Sequence, residues 1–60
     1  MEDRLYSPKE VANYLRLDIQ TIYRYIKAGR IRSVKFSRKG VRVPAKSLEH
    51  FIEENTEWKT

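Results

Sequence analysis

The chain is short, basic and free of cysteine, and these properties exclude several kinds of protein. Its 60 residues carry 13 Lys or Arg against eight Asp or Glu, a formal net charge of +5 at pH 7. A domain of this length buries only about 60% of its unfolded surface, so we expect no deep catalytic cleft and no enzymatic activity. Without cysteine, there is neither a disulfide framework nor a thiolate zinc site. No apolar stretch approaches the roughly 20 residues of a membrane span, and the acidic start is unlike a signal peptide. We therefore expect a cytoplasmic protein that does not contact the membrane.

The positive charge is concentrated in one segment. Residues 19–48 contain nine Lys or Arg and no Asp or Glu. The formal charge is −1 over residues 1–18, +9 over residues 19–48 and −3 over residues 49–60. A basic surface between acidic ends is typical of a polyanion-binding protein, because each Lys or Arg that contacts a phosphate releases condensed counterions. The alternative is a solvated surface with no partner, but solubility alone is usually served by interspersed charges.

Two helices are predicted in the first half of the chain. Residues 7–10, Ser-Pro-Lys-Glu, combine an N-cap hydroxyl, a proline at the first helical position and a glutamate able to complete a capping box. This first helix runs to about Arg16. Asp18 is predicted to cap a second helix, with its carboxylate accepting from an amide of the first turn. The second helix is expected over residues 19–28 and ends at Gly29, which can take the left-handed conformation.

The second helix is amphipathic. Ile19, Ile22 and Ile26 share its inner face at 100° per residue, and the outer face is polar and carries no carboxylate. Two short helices joined by a tight turn form the helix-turn-helix arrangement, which inserts its second helix into the DNA major groove. Arg can form paired hydrogen bonds with guanine and Gln with adenine. The alternative is an ordinary helical hairpin with a solvated outer face. The residues of this helix that we expect to contact DNA are Gln20, Thr21, Tyr23, Arg24 and Lys27.

A basic β-hairpin is predicted next. Residues 31–36 and 41–43 nearly alternate apolar and polar side chains, and residues 37–40 have a turn composition in which Gly40 is free to adopt positive φ. The residues expected to face the helices are Val34, Phe36, Val41 and Val43. Such a hairpin beside a helix-turn-helix is a wing, and cations at its tip can meet phosphate or the minor groove. The cations that we expect to contact DNA here are Arg30, Arg32, Lys35, Arg38, Lys39 and Arg42.

A third helix is predicted over residues 45–55, after Pro44 ends the second strand. Its apolar positions follow i, i+3, i+4 spacing and are Leu48, Phe51 and Ile52. Its outer face is acidic, so we expect a structural role for this helix, pointing away from DNA. His50 has no second ligand cluster and is predicted to be a surface residue, so no metal or cofactor is expected. Trp58 is expected to fold back on the core; the alternative is an exposed anchor for another protein.

The order helix, helix, basic hairpin, helix resembles the small winged-helix DNA-binding domains of the excisionase type, which are MerR-like. The resemblance covers nearly everything from Leu5 to Ile52. The residues that carry it are Tyr6-Ser7-Pro8-Lys9-Glu10-Val11-Ala12, Leu15, Leu17, Asp18, Thr21-Ile22-Tyr23-Arg24, Ala28-Gly29-Arg30-Ile31, Val34-Lys35-Phe36, Gly40, Arg42-Val43-Pro44 and Leu48-Glu49-His50-Phe51-Ile52.

This resemblance implies a winged helix-turn-helix, mainly α with a small β-hairpin, forming a single domain over residues 1–60. The recognition helix would be residues 19–28, the wing residues 31–43 and the C-terminal helix residues 45–55. The implied partner is double-stranded DNA in or beside a mobile element or promoter, and the implied origin is a bacterium, a phage or another mobile element.

Two departures from the family pattern affect the expected function. Many members have Gly at the turn position that Arg16 occupies here, and a non-Gly residue with positive φ carries strain. Larger MerR regulators continue into a long dimerisation helix and an effector domain. This sequence has neither, so no small-molecule effector is expected, and the short excisionase or adaptor type is the nearest relative.

The expected role is that of an excisionase, which binds repeated sites beside a recombination junction, bends the DNA and helps an integrase favour excision. The candidate partners are an integrase or recombinase and further copies of the chain that bind cooperatively on DNA. One alternative is a small transcriptional regulator, and another is the DNA-binding module of a larger transposase or recombinase. A protein-interaction domain with no nucleic acid is also open. An RNA-binding role has less support, since no ladder of exposed aromatic residues is evident.

Overall fold

The computed structural model describes residues 4–56 and contains three helices and a small antiparallel sheet. The elements in chain order are β1 (Leu5–Tyr6), α1 (Pro8–Leu15), α2 (Ile19–Lys27), β2 (Val34–Lys35), β3 (Val41–Pro44) and α3 (Ala45–Glu54). This is the predicted winged helix-turn-helix, mainly helical with a β-hairpin. None of the helices described is long and apolar enough to cross a bilayer. The prediction for Trp58 lies outside the described residues.

Helix α1 begins with the predicted capping box. The Ser7 hydroxyl accepts from the Glu10 amide at 3.1 Å, and the Glu10 carboxylate accepts from the Ser7 amide at 2.8 Å. Two amides that have no partner inside the helix are thereby satisfied. At the other end Arg16 takes the left-handed conformation, with φ 59° and ψ 44°. This conformation is one that Gly adopts most readily, and it costs a residue with a Cβ about 1 kcal/mol of strain.

Helix α2 starts at Ile19 with Asp18 at its N-cap position and stops before Gly29, as predicted, but the predicted capping hydrogen bond is absent. The Asp18 carboxylate makes no capping hydrogen bond, and the expected side-chain cap is wrong. The Asp18 side chain is exposed, so its carboxylate is solvated, while its backbone carbonyl accepts from Thr21 and Ile22 at 3.0 and 3.2 Å. After the helix, Gly29 has φ 82°, as predicted, and its amide donates to the Ile26 carbonyl at 3.1 Å.

Strand β3 lies at the centre of the sheet and pairs with both other strands, in the order β1-β3-β2. Strand β1 was not predicted, because two residues are too few to display a period of two. It places Tyr6 opposite Val43, and beside this pair the Ala45 amide donates to the Arg4 carbonyl at 2.8 Å. These bonds join the segment before α1 to the base of the wing.

The prediction that Val34 and Phe36 face the helices is wrong. Val34 pairs with Arg42, and cross-strand partners share a face of the sheet. Val34 therefore lies on the face opposite Val43, which is fully buried, whereas Val34 is 39% and Phe36 66% exposed. Val41, the other residue expected to face inward, is half-buried. A shift of one residue in strand register moves every side chain of a strand to the other face of the sheet. The observed register places Val34 and Phe36 of the β2 segment on the face opposite from the one predicted.

The turn of the hairpin packs closely around Gly40, without positive φ at that residue. Within residues 4–56, Gly29 is the only glycine with positive φ, so Gly40 does not use that freedom. Instead, a Cβ at Gly40 would lie 2.7 Å from the Ser37 hydroxyl oxygen and 3.3 Å from the Ser37 amide nitrogen. The turn is closed by the Phe36 amide, which donates to the Gly40 carbonyl at 2.8 Å.

The core is thin but draws on all three helices, the central strand and the loop before β2. Its buried apolar residues are Val11, Ala12, Ile22, Ile31, Val43, Leu48 and Phe51. Ile22 is fully buried, with Ile19 and Ile26 partly buried beside it, which confirms the predicted inner face of α2. A core of this size supports only marginal stability, so each buried contact accounts for a large share of the folding free energy.

Candidate nucleic-acid interface

The connection between α1 and α2 sets the position of the second helix. The Arg16 amide donates to the Asn13 carbonyl at 3.3 Å, and the Leu17 amide donates to the Ala12 carbonyl at 2.9 Å. These bonds end α1 and turn the chain within two residues. Ile22 then anchors α2 in the core, so the opposite face of α2 points to solvent.

The structure brings four of the five predicted residues of α2 onto this outward face. Gln20, Tyr23, Arg24 and Lys27 are exposed, and they follow the i, i+3, i+4, i+7 spacing of one helical stripe. Thr21 is half-buried and lies beside the stripe. Tyr23 is 49% exposed, so its ring is available to a partner. The stripe offers two long cations, an amide and a phenol with no carboxylate among them.

Three cations of the hairpin are exposed to solvent, and the side chain of a fourth is folded back against the backbone. Lys35, Arg38 and Lys39 are exposed along β2 and the turn. Arg42 is half-buried, and its guanidinium donates to the neighbouring Val41 carbonyl at 2.8 Å. Arg42 therefore has fewer donors available for a phosphate than the three exposed cations have.

Arg30 makes contacts that sequence reasoning did not predict. Its guanidinium carbon lies 4.7 Å from the centre of the Tyr25 ring and 5.8 Å from the centre of the Phe51 ring. It also donates to the Asn55 side-chain oxygen at 3.1 Å. The two rings are themselves 5.3 Å apart. Arg30 thus links the end of α2 to the end of α3, whereas Arg32, two residues on, is exposed.

None of the predicted DNA-contacting cations is paired with a carboxylate in the part of the chain that the structure describes. The one close contact between a basic side chain and a carboxylate within residues 4–56 joins His50 to Glu54 at 3.0 Å on α3, where both side chains are mostly exposed. His50 is therefore a surface residue, as predicted. Over the same residues no cluster of His, Cys, Asp or Glu could hold a metal ion. The basic surface keeps its full charge toward solvent.

Two residues outside the predicted set lie beside Arg30 and Arg32. Lys46 and Ser47, at the start of α3, line the same open groove as these arginines. Periodicity and composition do not reveal this neighbourhood, because it depends on how the hairpin returns to the body of the domain.

Comparison with known proteins agrees with the architecture. A family model described as a helix-turn-helix domain matches residues 5–56, a span that includes all three helices and the sheet. Neither the curated proteins nor the solved structures gave a match. A helix-turn-helix domain suggests DNA binding, which agrees with an α2 whose inner face is anchored and whose outer face is basic. The chain belongs to the helix-turn-helix domain family.

Proposed function

We propose that the protein binds double-stranded DNA sequence-specifically, with α2 in the major groove and the hairpin against the backbone or the minor groove. One observation carries this proposal. The outward stripe of α2 and the hairpin tip are basic, and no cation there is paired with a carboxylate within residues 4–56. Such a surface attracts phosphate strongly. The proposed interface belongs to a single domain over residues 1–60.

Within α2, Arg24 is the proposed centre of base recognition. It lies in the middle of the exposed stripe, with Gln20 one turn nearer the helix start, the end that usually approaches base edges. The flanking contacts are assigned to Thr21, Tyr23 and Lys27. The phosphate contacts are assigned to Arg30, Arg32, Lys35, Arg38, Lys39 and Arg42.

For the cellular role, we propose an excisionase-type protein that binds repeated sites, bends DNA and assists an integrase. Simultaneous contacts from a helix and a wing favour bending, because extra phosphate contacts offset the cost of deformation. The resemblance to excisionase-type domains supports this role, and cooperative binding of several copies would accompany it. A small transcriptional regulator, or a module of a larger transposase or recombinase, uses the same interface. A neighbouring integrase gene supports excision, whereas a neighbouring metabolic operon favours transcriptional control.

The test of DNA binding is its salt dependence. If five or six cations contact phosphate, the slope of log K against log salt concentration for a labelled duplex is about −4 to −6. The double substitution Arg38→Ala with Lys39→Ala is expected to weaken binding to all sequences and to flatten the slope by about one to two units.

A matched control removes the same charges elsewhere. Arg4→Ala with Lys9→Ala also removes one Arg and one Lys, both exposed but outside the proposed interface, and is expected to leave the slope nearly unchanged. A wild-type slope near zero would refute DNA binding through this surface. Equal slopes for the two double variants would refute the role of the wing.

A further inference from the structure

An open groove lies at the base of the hairpin, between the segment that follows α2 and the start of α3. Its volume is about 710 Å³. The residues that matter for its chemistry are Arg30, Arg32, Lys46, Ser47, His50 and Glu54. None of the fold's apolar core residues lines it, so its character is set by charged and polar side chains.

The groove lies where the chain enters and leaves the hairpin. Strands β2 and β3 pair at Val34 with Arg42 and at Lys35 with Val41, and α3 begins directly after β3. The segment before β2 contributes Arg30 and Arg32 to the groove, and the first turn of α3 contributes Lys46 and Ser47. The groove is therefore built into the base of the wing.

The charge of the groove is strongly positive. It has three cations, Arg30, Arg32 and Lys46, and one carboxylate, that of Glu54. That carboxylate is 3.0 Å from the His50 ring nitrogen, which engages part of its charge. With His50 neutral, the lining carries a formal charge of +2. Like charges around one groove repel one another, and a bound anion relieves that repulsion.

One of the three cations is already held in place. The Arg30 guanidinium packs on the Tyr25 ring and donates one hydrogen bond to Asn55. A guanidinium has five N–H donors, so others are left for an anion in the groove. A cation fixed before binding loses little side-chain entropy when it binds.

We propose that this groove binds a phosphate of the DNA backbone, with Lys46 and Ser47 of α3 supplying contacts in addition to those of Arg30 and Arg32. This proposal rests on the DNA-binding function proposed above and extends the interface to the third helix. Arg and Lys supply charge-assisted hydrogen bonds to phosphate oxygens, and the Ser hydroxyl supplies a neutral one. The first turn of α3 is then basic and contacts DNA, and the glutamates farther along the helix face solvent.

The experiment compares two lysines in equivalent positions. Lys46 is the second residue of α3 and Lys9 is the second residue of α1, and both are exposed. Lys46→Ala is expected to make the slope of log K against log salt concentration about 0.9 units less negative, the amount for one phosphate contact. Lys9→Ala is expected to change it by a small fraction of that. Equal slope changes for the two variants would overturn the proposal. Circular dichroism confirms that both variants are folded.

A second pair of variants tests for a gain in DNA affinity rather than a loss. Glu54→Gln removes the carboxylate that lines the groove, whereas Glu53→Gln removes the adjacent exposed carboxylate of the same helix, which does not line it. Glu54→Gln is expected to tighten DNA binding about two- to fivefold, the range for one exposed charge interaction. Glu53→Gln is expected to have a clearly smaller effect. If the two variants bind alike, the groove is not part of the interface.

Free phosphate is the other possible source of the same ligand chemistry, and titration with sodium phosphate separates the two. Saturable shifts of the Lys46 and Ser47 amide resonances, together with a Lys46→Ala slope equal to the wild-type slope, would assign the groove to free phosphate and overturn the proposal. A steep wild-type slope that Lys46→Ala does not change would leave the DNA-binding function standing and reject only the groove. A wild-type slope near zero would reject the DNA-binding function itself, and the groove assignment with it.

Discussion

Substitution of Arg30 by Ala tests whether this residue stabilises the fold as well as contacting phosphate. Its guanidinium lies 4.7 Å from the centre of the Tyr25 ring and donates to Asn55 at 3.1 Å. The first contact is local, five residues back along the chain, and the second joins positions 25 residues apart. Removal of these contacts is therefore expected to destabilise the free protein, even with no DNA present.

The expected magnitude follows from the individual contacts. An exposed cation–π pair contributes about 0.5–1 kcal/mol, and the Phe51 ring at 5.8 Å is near the outer limit and adds little. The hydrogen bond to Asn55 is exposed and contributes about 0.5 kcal/mol, at the low end of the usual range. The sum is about 1–1.5 kcal/mol. For a domain of about this size, 1 kcal/mol shifts Tm by about 4–8 °C, so Arg30→Ala is expected to lower Tm by roughly 5–10 °C.

The assay is thermal unfolding of the free protein followed by circular dichroism, with Arg32→Ala as the matched control. Arg32 is an exposed arginine two residues away, and no hydrogen bond or aromatic contact holds its side chain within the described residues. Arg32→Ala is expected to change Tm by less than about 3 °C, since such surface substitutions usually stay within about 0.5 kcal/mol. Arg30→Lys keeps the charge but loses the planar stacking, so we expect it to recover only part of the lost Tm.

The reasoning is refuted if Arg30→Ala and Arg32→Ala lower Tm equally. In that case the contacts of Arg30 with the rings contribute nothing measurable, and Arg30 is only one more surface cation. Full recovery by Arg30→Lys would instead show that charge, rather than stacking, accounts for the stability.

Two further predictions concern base recognition and helix capping. Arg24→Ala is expected to cost about 1–3 kcal/mol on a specific duplex and much less on random DNA, measured by fluorescence anisotropy. Equal losses on both would reassign Arg24 to phosphate and move base recognition to Gln20, Thr21, Tyr23 or the wing. Ser7→Ala removes the capping hydroxyl of α1 and is expected to destabilise the fold by about 1 kcal/mol in urea unfolding, whereas Ser7→Thr retains most of the cap. An alanine variant as stable as the threonine variant would mean that the capping box contributes no stability.

The features that could be predicted from the sequence depend on neighbours within one turn of helix. The capping box at Ser7 and Glu10 needs only a spacing of three residues. The inner face of α2, centred on Ile22, follows from the helical period, and Gly29 is a typical helix stop. The outward stripe that includes Gln20 and Arg24 is the complement of that inner face, so the candidate recognition surface could be predicted as well.

The features that could not be predicted depend on which distant residues are brought together. Whether Val34 faces the core is decided by its pairing with Arg42, and alternation within one strand cannot determine that register. The same holds for the groove at Lys46, which exists only because the hairpin returns beside the segment after α2. The contact of Arg30 with Asn55 joins positions 25 residues apart, beyond the reach of any local pattern. The capping hydrogen bond of the Asp18 carboxylate was predicted wrongly for a different reason: an exposed carboxylate can accept hydrogen bonds from water instead.

The outer part of the hairpin does not contact the core, and this affects how a preference for particular DNA sequences can evolve. Residues 34–39 are all exposed, so substitutions or insertions there remove no buried contact and cost little folding free energy. Natural selection can therefore alter the reach and charge of the hairpin without a compensating change elsewhere. Helix α2 is under the opposite constraint, because its outer side chains stand on the same short helix as Ile22, which is fully buried. Divergence among descendants of this chain is expected first at the hairpin tip, where new DNA preferences can arise while the protein still folds.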